Sequence, residues 1–541
     1  MRRKDMMQET GADIIGRALA EAGATHAFGI PGGEVLGLMD GLARAGLSFV
    51  LVKHENAGGF MAEGLWHATG APGVLVATIG PGVANAINVV ANAWQDRVPL
   101  IFLTGCVDAA LAETYTHQVF DHQALLRPIV KGSFRAAPGA VGAMMAKAVA
   151  LALDGQPGPV HIDVPIAIAE GPSEERRVPP IPAAVATRPA ADALLARCRA
   201  QLAGAARPLL IAGVDAVNAE AGPALSAFCR AEGLPLITSY KGKGLLDERD
   251  PLALGGAGLS PKADAILMPL IRAADCILLA GYDPIEMRTG WIDPWTPGTP
   301  VIDITPVLRT HGMHSVTETL RADLAPTLAA LASGTDTPPR WTGGEIAAAQ
   351  SALADAFQPP DWGPGAVFST LRAVLPAETV ITADSGAHRI LLSQTWPCPG
   401  PRQMLQSTAL CTMACAVPLA AGHALGAPGA PVVAFVGDAG LEMGLGELAT
   451  LRDMGVTLIV CVLVDTSLAL IEMKQRNSQR PNQGVDFGAT DFPAVAAALG
   501  LAGQWIDDTE TLAKAAPDAL ARGGVTVLAC RIDRRAYDGM F

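Results

Sequence analysis

Short continuous apolar runs alternate along this chain with longer stretches whose apolar positions recur every three or four residues. SFVLV, GVLVATIG and VPLIFLTG come first, then RPLLIAGV, DCILLAG and PVIDI, and finally TVITAD, PVVAFVG, VTLIVCVLV and VTVLACRI. Unbroken apolar character predicts strands covered on both faces, as in parallel sheets. The regular alternation of such strands with helical patterns predicts an α/β fold. Two stretches rich in Pro, Gly and charge interrupt the series. One is EGPSEERRVPPIPAAVATRPA, from Glu170 to Ala190; the other lies between Ser333 and Gly365, where SGTDTPPRWTGG and QPPDWGPG bracket one helix. They predict three consecutive doubly wound parallel-sheet domains, at 1–172, 190–335 and 360–541. No short-period repeat is visible.

Open parallel sheets bind ligands outside the carboxyl ends of their strands. Asp384, Asp438 and Asp465 all fall at such ends. After PVVAFV, Gly437 turns the chain and Gly440 is expected to open a helix, whose first N–H groups can face a phosphate. Asp438 beside them would repel that phosphate unless a cation lay between. Asp465, ending the next strand, is a candidate second oxygen ligand, and hard oxygen donors with phosphate suit Mg²⁺. The plainer alternative is that both acids only cap turns and helices. A dinucleotide site is a weaker match, because GDAG is not G-x-G-x-x-G.

The bulk properties narrow the choice. The chain has 541 residues, 50% of them hydrophobic, enough for several cores. A formal charge of −13 argues against nucleic-acid or anionic-membrane partners. The longest apolar runs reach about half a membrane span. The basic N-terminus leads into an amphipathic pattern, not an apolar signal core, so a cytoplasmic protein is expected. The nine cysteines are odd in number, and Cys411 and Cys415 do not match zinc or redox spacings. All nine are expected to be reduced core thiols.

The order strand, GDx, helix, strand and polar pair resembles the motif of thiamine-diphosphate enzymes. GDAG stands where the family has GDG, and Val464-Asp465 where it has Asn-Asn. Further stretches resemble the acetolactate synthases and their 2-oxo acid decarboxylase relatives in order and spacing: GIPGGEVLGLMD, VKHENAGGFMAEG, IGPGVANAINVVANAWQDRVPLIFLTG, PGPVHIDVP and LQSTALCTMACAVPLAAG. The likeness is dense at both ends of the chain and loose in the middle.

That resemblance implies thiamine diphosphate and Mg²⁺ as cofactors, with a pyrimidine-binding, a central and a diphosphate-binding domain. By it, Glu55 would be the carboxyl group paired with the cofactor pyrimidine, and Met413 the apolar support beneath the bent cofactor. The Cys411 carbonyl would accept the pyrimidine amino group. Pro31, Gly32, Gly80 and Asn85 would line the pyrimidine side; Gly437, Asp438, Ala439, Gly440, Asp465, Ser467 and Leu468 would line the diphosphate side. Asp438, Asp465 and the Ser467 carbonyl would hold the metal. HQVFDHQALLRPIVK places Gln118 on the family's Gln and His117 on its Phe. The functional unit implied is a homodimer or homotetramer with active sites at the subunit interface.

Several features depart from the family. His117 is a candidate proton donor, or only a partly exposed structural side chain. Glu34, where the synthases have Ala, could set a carboxylate near substrate or merely start a helix. The polar segment TSLALIEMKQRNSQRPNQG is expected to be a covering loop. GAGLSPKAD and AGYDPIEMRTGW match FAD-contact stretches poorly, so FAD on the central domain is not expected. The leading expectation is decarboxylation of a 2-oxo acid followed by carboligation. Simple decarboxylation to an aldehyde is the first alternative. Outside catalysis, a binding protein that keeps the fold, or a nucleotide-binding protein without thiamine, would also be compatible with the degraded GDG element.

Overall fold

The computed structural model describes residues 9–173, 192–332 and 340–541. Residues 174–190 of the first expected linker, 333–339 of the second and the basic N-terminal residues lie outside these. Among the described residues, eighteen strands form three six-stranded sheets, every neighbouring pair parallel. The first comprises β1 (His26–Ile30), β2 (Ser48–Leu51), β3 (Gly73–Ala77), β4 (Leu100–Cys106), β5 (Gly132–Arg135) and β6 (Val160–Pro165). The second comprises β7 (Pro208–Ala212), β8 (Leu236–Thr238), β9 (Ala253–Gly256), β10 (Cys276–Ala280), β11 (Val301–Thr305) and β12 (Glu318–Arg321). The third comprises β13 (Val380–Ala383), β14 (Met404–Gln406), β15 (Val432–Gly437), β16 (Leu458–Val464), β17 (Ala502–Ile506) and β18 (Val525–Arg531). The expected α/β class is observed.

Strand order runs β2-β1-β3-β4-β6-β5 in the first sheet and β14-β13-β15-β16-β18-β17 in the third. Counted within each sheet, the two orders are identical. The second sheet runs β9-β8-β7-β10-β11-β12, the doubly wound order of dinucleotide folds. In the first and third sheets the order reverses between the first and third strands. A crevice opens there at the carboxyl ends, and this is where ligands settle.

By packing, the described residues form two compact units. One contains those up to 173 with Val417–Gly429 and Gly444–Val456; the other contains the remainder. In the first unit, Ile101, Leu103, Val74, Val76, Ile162 and Val164 form the middle of one core. In the second unit, Val433, Phe435, Ile459, Cys461 and Leu463 on β15 and β16 anchor another, with Phe368 and Trp396 packed edge-on to Phe435. β3, β4, β6, β7, β10, β11 and β16 are buried at every position. No helix among the described residues is long and apolar enough to cross a membrane.

Candidate active site

In the second unit, Gly437 ends β15 and the helix Asp438–Met443 begins at once. The helix therefore opens at Asp438, two residues earlier than expected from Gly440. The Asp438 side chain stabilises that start: its Oδ1 accepts the Ala439 N–H at 2.8 Å. Its Oδ2 accepts the N–H groups of Asp465 and Thr466, just past β16. Asp465 Oδ1 in turn accepts the Ser467 N–H at 3.0 Å, closing a turn in which Thr466 has φ 56°. The Ser467 hydroxyl is committed to Asp486 Oδ1 at 2.9 Å.

Burial raises the Asp438 carboxyl, partly offset by its main-chain donors. Burial and the neighbouring Asp438 charge push Asp465 up to about 8. Two adjacent acids, one buried and one half-buried, whose partners are main-chain N–H groups form a donor set suited to a divalent cation. Gly440 is required beside them. A Cβ there would lie 2.0 Å from Asp384 Oδ2. Asp384 is fully buried at the end of β13, and its oxygens accept the Ala414 and Cys415 N–H groups at 2.9 and 2.8 Å. Asp384 thus ties down the loop that presents Met413.

Cys411, Met413, Asp438, Asp465 and Leu468 line one cleft together with His388. Reading the sequence missed His388. It follows Asp384 in the helix Ala387–Thr395, and its buried Nε2 has no partner. Burial, then the Arg389 charge, lowers its pKa to about 4. A neutral ring with an unsatisfied nitrogen in a polar cleft is a position for a ligand atom. The available signal was a His at a helix start directly beyond a strand carboxyl end.

One expectation needs correction here. Cys411 is not a core thiol: it is the one exposed cysteine of the nine. Its backbone is left-handed, at φ 56°. Its Sγ accepts from Arg389 Nη2 at 3.2 Å and donates to the Thr408 carbonyl at 3.1 Å. The segment after Asp465 contains the helix Ala469–Asn477, with Arg476 paired to Glu472 one turn earlier, and Leu468, Leu470 and Ile471 line the cleft.

In the first unit, Glu55 begins the helix Glu55–Thr69 and is 3% exposed. Its Oε2 accepts from Asn85 Nδ2 at 3.0 Å. Gly82 passes closely enough that a Cβ would sit 3.1 Å from Glu55 Oε1. Glu447, also missed from sequence, holds the entry to this helix: its Oε1 accepts the Lys53 and His54 N–H groups at 2.9 and 3.0 Å. Across the crevice between β1 and β3, Thr78 Oγ1 donates to Glu34 Oε2 at 2.7 Å. Gly32 lies against Thr78, and exposed Pro31 precedes it. Gly80 takes φ 76° beside the Gln118 carbonyl. His117 and Gln118 are exposed, Gln118 at φ 57° and His117 edge-on to Tyr115. Glu34, Glu55, Gly80 and Asn85 are thus neighbours on one sheet; Cys411, Met413, Asp438, Asp465 and Leu468 are neighbours on another.

Three family models match the chain. They are the thiamine pyrophosphate enzyme N-terminal TPP binding domain at residues 9–125, the central domain at 195–331 and the C-terminal TPP binding domain at 384–530. Among curated proteins, the chain is 29% identical over 537 residues to the acetolactate synthase isozyme 3 large subunit of Escherichia coli, covering 94% of this chain and 92% of that one. It is 30% identical over 546 residues to the probable 2-ketoarginine decarboxylase AruI of Pseudomonas aeruginosa, covering 96% and 94%. It is 26% identical over 561 residues to an acetolactate synthase of Bacillus subtilis, covering 98% and 94%.

Proposed function

The chain belongs to the thiamine pyrophosphate enzyme family, and we propose that it decarboxylates a 2-oxo acid and joins the product to a second carbonyl compound, using Mg²⁺ to hold the cofactor. The observation that carries the metal-dependent reading is the pair Asp438, buried, and Asp465, half-buried, side by side just beyond the ends of adjacent strands. Bound thiamine pyrophosphate supplies an electron sink for loss of CO₂. Asp438, Asp465 and the Ser467 carbonyl would hold the cation, and His388 Nε2 would meet a diphosphate oxygen. Met413 would support the cofactor from below, and the Cys411 carbonyl would accept its amino group. Glu55, oriented by Asn85, would keep a proton directed at the pyrimidine nitrogen.

This reading takes residues 1–172 as the pyrimidine-binding domain, 190–335 as the central domain and 360–541 as the diphosphate-binding domain. Its functional unit is a homodimer or homotetramer with sites at the subunit interface. An active monomer in sedimentation at assay concentration contradicts that assembly.

Simple decarboxylation is the second reading. It is favoured by exposed His117, a proton donor in the place of the family's apolar residue, and by the name of the 2-ketoarginine decarboxylase relative. The test is a panel of 2-oxo acids, neutral and cationic, with cofactor and Mg²⁺, following CO₂ and ligation product together. Ligation product in proportion to CO₂ supports the first reading. CO₂ with aldehyde alone supports the second. No CO₂ from any member, with cofactor bound, removes both in favour of a binding protein.

A further inference from the structure

Beneath the Gly80 turn lies a chain of buried polar side chains that the proposed reaction does not use. The Gly80 N–H donates to His122 Nε2 at 3.3 Å. His122 Nδ1 lies 2.8 Å from Asp163 Oδ1. Thr104 Oγ1 lies 2.8 Å from the same oxygen and 2.8 Å from His161 Nε2. His161 Nδ1 meets Ser133 Oγ at 2.8 Å, and Gln123 Nε2 donates to that hydroxyl at 3.3 Å.

One assignment of protons satisfies every link. A backbone N–H can only donate, so His122 Nε2 carries a lone pair and its proton sits on Nδ1, donated to Asp163. Thr104 gives its single proton to Asp163, since its other acceptor, the Ile162 carbonyl, is farther at 3.4 Å. It must therefore accept from His161 Nε2–H, which leaves His161 Nδ1 to accept from Ser133. In this assignment Asp163 is an acceptor throughout. Burial would raise the Asp163 carboxyl, but the hydrogen bonds from His122 and His161 hold it well below the usual carboxylate range.

We propose that His122 is a positioning residue: Asp163 fixes its tautomer, so that Nε2 holds the Gly80 N–H and thereby the Pro81–Asn85 turn that seats Asn85 on Glu55. This rests on the role proposed above for Glu55. The turn has little slack. Gly80 adopts φ 76°, ψ −102°, and a Cβ there would lie 2.4 Å from the Gln118 carbonyl. Moving Gly80 moves both the Asn85 contact and the strand of chain that carries Gln118. His122, His161 and Asp163 also bring their ligand atoms within 4.8 Å of one another, close enough for a metal ion. The hydrogen-bonded chain already satisfies those atoms, and a metal would have to break it.

Asp163→Asn keeps the shape but can present an amide N–H to His122 Nδ1, which moves the His122 proton to Nε2. Imidazole ¹⁵N shifts of the chain without cofactor, with His122 identified by His122→Phe, should show Nδ1–H in the parent and Nε2–H in Asp163→Asn. With cofactor, Asp163→Asn should lose kcat by roughly 100-fold, as for a misplaced group, with KM little changed. If His122→Phe does not fold, the Asp163→Asn tautomer and kcat carry the test. An Nε2–H tautomer in the parent, an unchanged kcat in Asp163→Asn, or stoichiometric zinc lost in His122→Phe overturns the proposal. Failure of the Glu55 role would look different: Glu55→Gln would turn over normally while His122 stayed Nδ1–H.

Discussion

The main chain of Asp465 holds the side chain of Asp438: Asp438 Oδ2 accepts the Asp465 N–H at 3.0 Å and the next N–H, of Thr466, at 2.6 Å. The end of β16 is thereby tied to the first residue of the helix after β15, and two carboxylates are kept side by side. Asp465→Asn removes one negative charge and keeps a ligand oxygen. It should retain the fold and activity and bind thiamine diphosphate at least as well, because the anionic diphosphate meets a less neutralised cation. Asp465→Ala loses the ligand and should weaken Mg²⁺-dependent cofactor binding about tenfold, roughly 1.4 kcal/mol. Cofactor titration of both variants over a range of Mg²⁺ decides. If Asp465→Ala titrates like the parent, the metal is held elsewhere.

Glu55→Gln preserves the shape beside Asn85 but removes the ionisable proton. Cofactor binding should persist while turnover falls by about 100-fold or more, the scale of a lost acid–base group. Near-normal turnover in single-turnover and steady-state assays would take Glu55 out of its assigned role.

His117→Phe restores the residue of the synthases at an exposed position. Aldehyde release should fall relative to ligation when both products are quantified from one reaction. An unchanged ratio returns His117 to a surface side chain.

The second unit contains a pH-dependent strain unrelated to catalysis. Asp303 on β11 is buried, its Oδ1 has no partner, and Arg309 Nε stands 3.9 Å from its Oδ2. Burial, opposed by Arg309 and reinforced by Asp215, raises its carboxyl to about 6. A carboxyl raised in the fold favours the folded state while protonated. That contribution is present below the unfolded pKa, near 3.8, and is lost as pH rises through about 6. Asp303→Asn should therefore stabilise the protein at pH near 8 by on the order of 1–3 kcal/mol, with a smaller gain near pH 5. Urea midpoints of parent and variant at the two pH values test this; a gain that does not depend on pH rejects it.

The central strands were legible along the chain because burial on both faces demands unbroken apolar runs, as in LIVCVLV of β16 and LIFLTGC of β4. The two edge strands of the third sheet were not. β17 reads AGQWI and is half exposed, while β14 has three residues. Both are strands because a neighbour offers hydrogen bonds, and no local pattern announces that. The GDAG turn and Asp465 were legible for a related reason: polar residues directly after apolar runs mark strand carboxyl ends, whatever the sheet order.

Sequence by itself determined the α/β class, the family resemblance and the candidate carboxylates, because periodicity and motif spacing are local. Tertiary structure alone decided which distant residues meet. It gave the first and third sheets the same strand order from dissimilar sequences, since that order depends on how strands pack and cross over. It left Cys411 exposed, on a left-handed backbone that no neighbouring residue type demands. It brought His388 to the cleft of Asp438, Glu447 to the start of the Glu55 helix, and His122 to Asp163 and Gly80. Each of these contacts joins segments far apart in the chain. A hydrogen bond between distant segments exists only once the sheets have brought its two ends within about 3 Å, so no reading of either segment alone contains it.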